Sequence, residues 1–120
     1  TVSADSRPGL VSDHNVVMSR FSTDDGNTRM TLAQWQSATG QDTHSIVAVP
    51  AALFVAASAS DYHLSATSPA RDAGTPATLA DAPRDRDGVT RPQGPGVDIG
   101  AYEFSAVPQK VTGLRVIPGW

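Results

Sequence analysis

Apolar positions along this chain fall in short runs separated by polar, turn-forming residues, the pattern of brief strands rather than long helices. Residues 10–18 read as a strand whose apolar faces are Val11, Val16, Val17 and Met18, interrupted at Asp13, His14 and Asn15. Ile46, Val47 and Val49 predict a second strand ended by Pro50. Residues 51–60 are small and apolar, with Leu53, Phe54 and Val55 as their buried part. The Asp61-Tyr-His-Leu64 alternation predicts a strand with Tyr62 and Leu64 on one face. The last such run before the tail, Val97-Asp-Ile-Gly-Ala-Tyr-Glu-Phe104, is strand-like in its apolar content. Helical signals gather at one place. Thr31 is an N-cap with Gln34 completing a capping box, Met30 and Trp35 stand at staple positions, and Gly40 stops the helix. The prediction is a helix of about two turns from Leu32 to Thr39.

The 97–104 run organises the rest. Gly96 and Gly100 bracket Asp98, which permits unusual dihedrals or close backbone approach around a carboxylate. A buried charge needs a partner. Arg71 and Arg91 are the available cations, and Asp72, Asp98 and Glu103 the acids of a structural ion-pair network. Other polar clusters read as turns. Asp13-His14-Asn15 is taken as a bend with Asx hydrogen bonding in preference to a metal or catalytic cluster. Asp24 and Asp25 lack the ligand spacing of a calcium loop. Asp85 and Asp87 flank a tight Asp-Gly turn; they are calcium candidates but too few for a dedicated site. Asp42 and His44 form either an acid–base pair or a turn cap. A zinc site from His14, His44 and His63 lacks helical ligand spacing. Trp35 is assigned to packing the helix inward, against the rival role of a sugar-stacking platform. Residues 75–83 look like an extended connection, preceded by Gly74 as a positive-φ stop.

Composition narrows the classes. With 120 residues the chain suffices for one domain, and a net charge of -3 argues against bulk electrostatic binding of nucleic acid or anionic membrane. There is no cysteine, hence no disulfide framework or thiolate metal site, and no apolar run long enough to span a bilayer. The chain opens on Thr with no signal peptide, so it is expected to be a piece of a longer precursor.

Several motifs carry a resemblance. Asp61-Tyr-His-Leu, Ser68-Pro-Ala-Arg-Asp-Ala-Gly74, Asp85-x-Asp-Gly-x-x-Arg-Pro92 and Val97-Asp-Ile-Gly-Ala-Tyr-Glu103 occur in the order seen in the closing module of secreted bacterial right-handed parallel β-helix (pectate-lyase-like) proteins. Upstream, Ser12-Asp-His-Asn-Val16, Trp35-Gln-Ser-Ala-Thr-Gly-Gln-Asp42 and His44-Ser-Ile-Val47 resemble the last coil and its helical excursion. The resemblance implies a mainly β fold: terminal coils of a right-handed parallel β-helix, one short capping helix and an irregular closing segment. Residues 1–60 would be the last coil or coils with an excursion at about 31–40, and 61–105 the closing segment. Residues 106–120 would be a linker and, from Val111, Leu114 and Val116, a strand similar to the first of a fibronectin type III domain.

The implied setting is secreted or cell-surface, with the upstream β-helix portion of the same precursor and polysaccharide as partners. The implied function is to close an extracellular protein that binds or degrades polysaccharide, its groove on other coils. A non-catalytic adhesin or spacer, and a subunit of a cleaved polysaccharide lyase, stay open beside it. The single lysine, Lys110, lies in the tail, which weighs against lysine-based β-elimination within this chain. No catalytic residues are assigned, and calcium is the one cofactor entertained.

Overall fold

The computed structural model describes residues 2–106. Its ordered elements are few and short. In chain order they are β1 (Val16–Val17), α1 (Leu32–Thr39), β2 (Ile46–Val47), α2 (Pro50–Leu53), β3 (Phe54–Ala56) and β4 (Asp61–Leu64), with single 3-10 turns at Ala4–Ser6, Ala57–Ala59 and Pro76–Ala80. Strands join as two-stranded sheets, β1 with β2 and β3 with β4, and among the described residues no barrel closes.

The first sheet is parallel, with Val16 opposite Ile46 and Val17 opposite Val47. Its contacts extend beyond the strands. The amides of Asp42, Ile46 and Ala48 donate to the carbonyls of Ser12, Asn15 and Val17 at 2.6, 2.9 and 3.2 Å. Two stretches of chain therefore lie side by side at an offset of thirty residues. The strand expected over 10–18 shrinks to its last apolar pair because His14 takes a left-handed φ of 54°, which breaks the extended run.

The excursion between the two stretches folds back through a Phe21–Met30 bridge into α1. The helix has the predicted bounds, with the Thr31–Gln34 capping box in place and Gly40 at φ 68° returning its N–H to the Gln36 carbonyl. Trp35 is buried and stacks on Phe21 at 5.2 Å, so a sugar-stacking role for it is overturned: no ring face is open to a ligand. Pro50 does end the second strand, but it also opens α2, where its missing N–H costs nothing. Residues after α2 pair antiparallel, Phe54 opposite Leu64 and Ala56 opposite Asp61, with an irregularity between. Leu64 is buried; Tyr62, on the same alternation, is half exposed with its ring edge against Phe54.

The closing segment departs most from expectation. Residues 97–104 form no strand. Instead Gly74 N–H donates to the Val97 carbonyl at 2.7 Å and Ile99 N–H to the Ala70 carbonyl at 2.9 Å, so this strip lies along 70–74 without a regular ladder. The left-handed residue here is Asp72 (φ 56°), not Gly74. Gly74 is needed for close approach: a β-carbon there would sit 2.8 Å from the Val97 carbonyl oxygen. The connection expected to be extended turns through Pro76–Ala80. Leu53, Leu64 and Ala70 form the core, with Val16, Ala48, Phe54, Ile99 and Phe104 packed around them, which fastens the closing segment to the paired stretches. Among the described residues no helix is long and apolar enough to cross a membrane. The strand expected around Val111, Leu114 and Val116 lies outside the described residues.

Candidate functional site

Three clusters of ionisable side chains stand out. The first is the network anticipated around Asp98, with different pairings. Asp98 Oδ1 accepts the Asp72 N–H at 2.7 Å and Oδ2 the Phe104 N–H at 2.5 Å. Glu103 accepts from Gln93 N–H through Oε1, and from Asp98 N–H and Arg91 Nη1 through Oε2, each at 3.2 Å. Asp85 accepts from Asp87 and Val89 N–H through Oδ1, and from Glu103 N–H through Oδ2, at 2.8 to 2.9 Å. The ion pair is thus Arg91–Glu103, with neither Asp72 nor Asp98 as the carboxylate; its side chains are 8 % and 0 % exposed. Arg91 also donates to the Asp98 and Gly100 carbonyls. Asp72 accepts the Gly96 N–H.

Arg71 joins no acid among the described residues: its guanidinium lies 4.0 Å over the Phe104 ring and donates to the Ala66 carbonyl. Asp85 and Asp87, the calcium candidates, are engaged by partners within the chain. Both oxygens of Asp85 are taken by main-chain donors, and Asp87 turns to His63. Burial pushes the Glu103 carboxyl above the usual carboxylate range, against the Asp98 and Gln93 amides and Arg91, which lower it.

The second cluster is Asp13, His14 and His44. The offset of thirty places His14 and His44 at equivalent points of the two stretches, and their rings stack at 4.9 Å, 5° from parallel. Asp13 sits between them: Oδ2 lies 2.6 Å from His44 Nδ1 and 3.8 Å from His14 Nε2, while Oδ1 accepts the His44 N–H at 2.7 Å. The hydrogen bond from the His44 side chain, with further backbone donors, holds the Asp13 carboxyl down at about 2. His14 Nδ1 faces the Ala73 carbonyl at 3.4 Å. A cavity of about 420 Å³ adjoins, lined in part by Asp13, His14, Thr75 and Thr78. Asp42 and His44 are not a pair. Asp42 is buried and accepts from Ser12, Asn15, Ser45 and Trp35 side chains. His63 is not with the other histidines; among the described residues the group of possible metal ligands is Asp13, His14 and His44.

The third cluster was invisible in the sequence. His63 lies between two carboxylates, Nδ1 2.6 Å from Asp61 and Nε2 2.6 Å from Asp87, with Tyr102 at 4.1 Å between ring centroids. Hydrogen bonds to Asp87 and then Asp61 raise the His63 pKa.

No protein-family model matches this chain, and no curated protein or solved structure matches it. A signal for the second cluster does exist in the sequence: His14-Asn-Val-Val17 is echoed thirty residues later by His44-Ser-Ile-Val47.

Proposed function

We propose that this chain closes a stack of β-coils in an extracellular protein that binds or degrades polysaccharide. The supporting observation is the superposition of equivalent residues at a constant offset: His14 on His44, Asn15 N–H on Ser45 Oγ, Val16 on Ile46, Val17 on Val47. Repeating coils bury their apolar faces only by stacking, and like positions come to lie over one another. Two short strands are marginal alone. Val11, Met18, Val47 and Val49 are each more than half exposed, as expected of coils with further coils as neighbours.

The closing segment suits the end of such a stack. A bare parallel edge templates further strands. Residues 97–104 carry amides already held by carboxylates, so they present a poor template. The polysaccharide role, with its groove on other coils, rests on the motif order described above.

Two measurements test the reading. The intact mass of the natural protein, with co-purification, asks what this chain is joined to. A glycan array then asks whether the assembly binds sugar. A chain joined to, or tightly held by, further coil-forming sequence in a glycan-binding assembly supports the proposal. A chain found alone, folded and monomeric overturns the closing role, and a joined assembly blind to every glycan overturns the polysaccharide role in favour of a spacer.

A further inference from the structure

We propose that Asp13, His14 and His44 form a binding site for a divalent first-row transition metal ion, with Zn²⁺ the best chemical fit. The donor set is two imidazoles and one carboxylate, which suits zinc and related ions and leaves a position open for water or another ligand. One ligand atom from each of the three residues lies within 4.8 Å of the other two. Around an ion with bonds of about 2.0 Å in a tetrahedron, ligand atoms stand about 3.3 Å apart. The two distances from Asp13 Oδ2, 2.6 Å to His44 Nδ1 and 3.8 Å to His14 Nε2, straddle that value. Reaching it takes a turn of the exposed His44, 66 % accessible, and of the half-buried Asp13 and His14, 28 % accessible each.

Outer contacts orient the ligands. Metal-binding histidines usually donate their second ring N–H to a carbonyl or carboxylate. His14 Nδ1 faces the Ala73 carbonyl at 3.4 Å; with Nδ1 as the donor there, Nε2 keeps its lone pair, 3.8 Å from Asp13 Oδ2. Asp13 Oδ1 is occupied by the His44 amide, which leaves Oδ2 as the donor atom. The thirty-residue register lays a second imidazole on the Asp13–His44 pair, and because the rings lie parallel they must turn for both in-plane lone pairs to meet one ion. The adjoining cavity of about 420 Å³ gives the remaining coordination positions access to solvent and small ligands.

The test uses the intact protein titrated with ZnCl₂ by calorimetry and with CoCl₂ followed by visible absorption. One equivalent of ion should bind, with a ligand-field band for Co²⁺. His14→Ala and His44→Ala should each weaken Zn²⁺ by more than about tenfold, since even an outer-shell partner is worth 10- to 100-fold. His63→Ala should bind as the unaltered protein does, because His63 belongs to the separate cluster with Asp61 and Asp87. Circular dichroism of His44→Ala, at a surface position, separates lost binding from lost folding. Failure of the unaltered protein to take up either ion saturably overturns the proposal. Uptake that persists in the His14→Ala/His44→Ala double variant, or that disappears in His63→Ala, overturns it equally.

Discussion

The paired stretches, 12–17 beside 42–48, and the segment over 85–104 both depend on buried acids, but they use them in opposite ways. In the paired stretches the backbone satisfies itself through the parallel contacts of 12–17 with 42–48. Its buried acid, Asp42, is free to gather side chains: Ser12 and Ser45 hydroxyls, the Asn15 amide and the Trp35 indole, at 2.7 to 3.0 Å. Residues 97–104 join no strand ladder, and Asp85, Asp98 and Glu103 gather main-chain N–H groups instead. The carboxylates there stand in for a missing neighbour strand. Side-chain hydroxyls can rotate toward another acceptor; fixed amides cannot. Disturbing the second arrangement should therefore cost more.

Arg91→Ala is the sharpest challenge to that ranking. Arg91 and Glu103 are buried, and removing the guanidinium leaves a carboxylate that also organises two amides. The expected loss is about 3 kcal/mol or more by urea denaturation at neutral pH, the usual cost of breaking a buried pair. The loss should shrink under acid conditions, where Glu103 takes up a proton. A loss below about half a kcal/mol would put the pair on the scale of surface ion pairs and undo the comparison.

The same contrast explains what could be read from the sequence. The helix was legible to the residue because Thr31, Gln34 and Gly40 act within its own turns. The strand at Asp61–Leu64 was legible for the same local reason, although its burial does not follow the alternation: Leu64 is buried and Tyr62 is not. Apolar content at 97–104 misled because acids, not a partner strand, hold the amides, and no periodicity records that choice. Arg91 and Glu103 were identifiable as network members, yet they stand twelve residues apart with no regular element between them, so no periodicity pairs them. Asp13 meets His44 across thirty-one residues. The repeated His-x-[Val/Ile]-Val pattern carries that contact, and it is visible only when the chain is compared with itself.

Acidification should separate the two regions by sign. Burial pushes Asp42 up, but hydrogen bonds from Asn15, Ser45, Trp35 and Ser12 outweigh it and hold the carboxyl below its ordinary value. A depressed pKa contributes stability above the unfolded value and loses it as pH falls through the folded one. Glu103 is raised, so its contribution is full below the unfolded value and is lost as pH rises through the folded one. Asp42→Asn should cost about 2 kcal/mol at neutral pH, the scale of a hydrogen bond to a charged group, and should flatten the loss at the acid end. Glu103→Gln should remove the opposing slope. Hydrogen exchange at Ala48 and Ile99 reports the regions separately, since their amides bind Val17 and Ala70. Parallel pH profiles at the two amides would break the distinction.

The smallest effect is expected where the sequence was easiest to read. Thr31 Oγ1 accepts the Gln34 N–H at 3.3 Å, and Gln34 Oε1 accepts the Thr31 N–H at 2.8 Å. Thr31→Ala removes the first of these and should cost about 1 kcal/mol, typical of an N-cap. The loss is contained because the Leu32 N–H is held independently by Ser19 Oγ at 2.9 Å. Trp35 also stays fixed through Phe21 and Asp42. The excursion should loosen at its first turn while exchange at Ala48 and Ile99 stays unchanged. If Thr31→Ala instead matched Arg91→Ala, or released the Ala48 amide, the helix would be integral to the paired stretches. The boundary of the comparison would then fall after α1, because a local cap would be carrying the parallel contacts that the present arrangement assigns to the thirty-residue register.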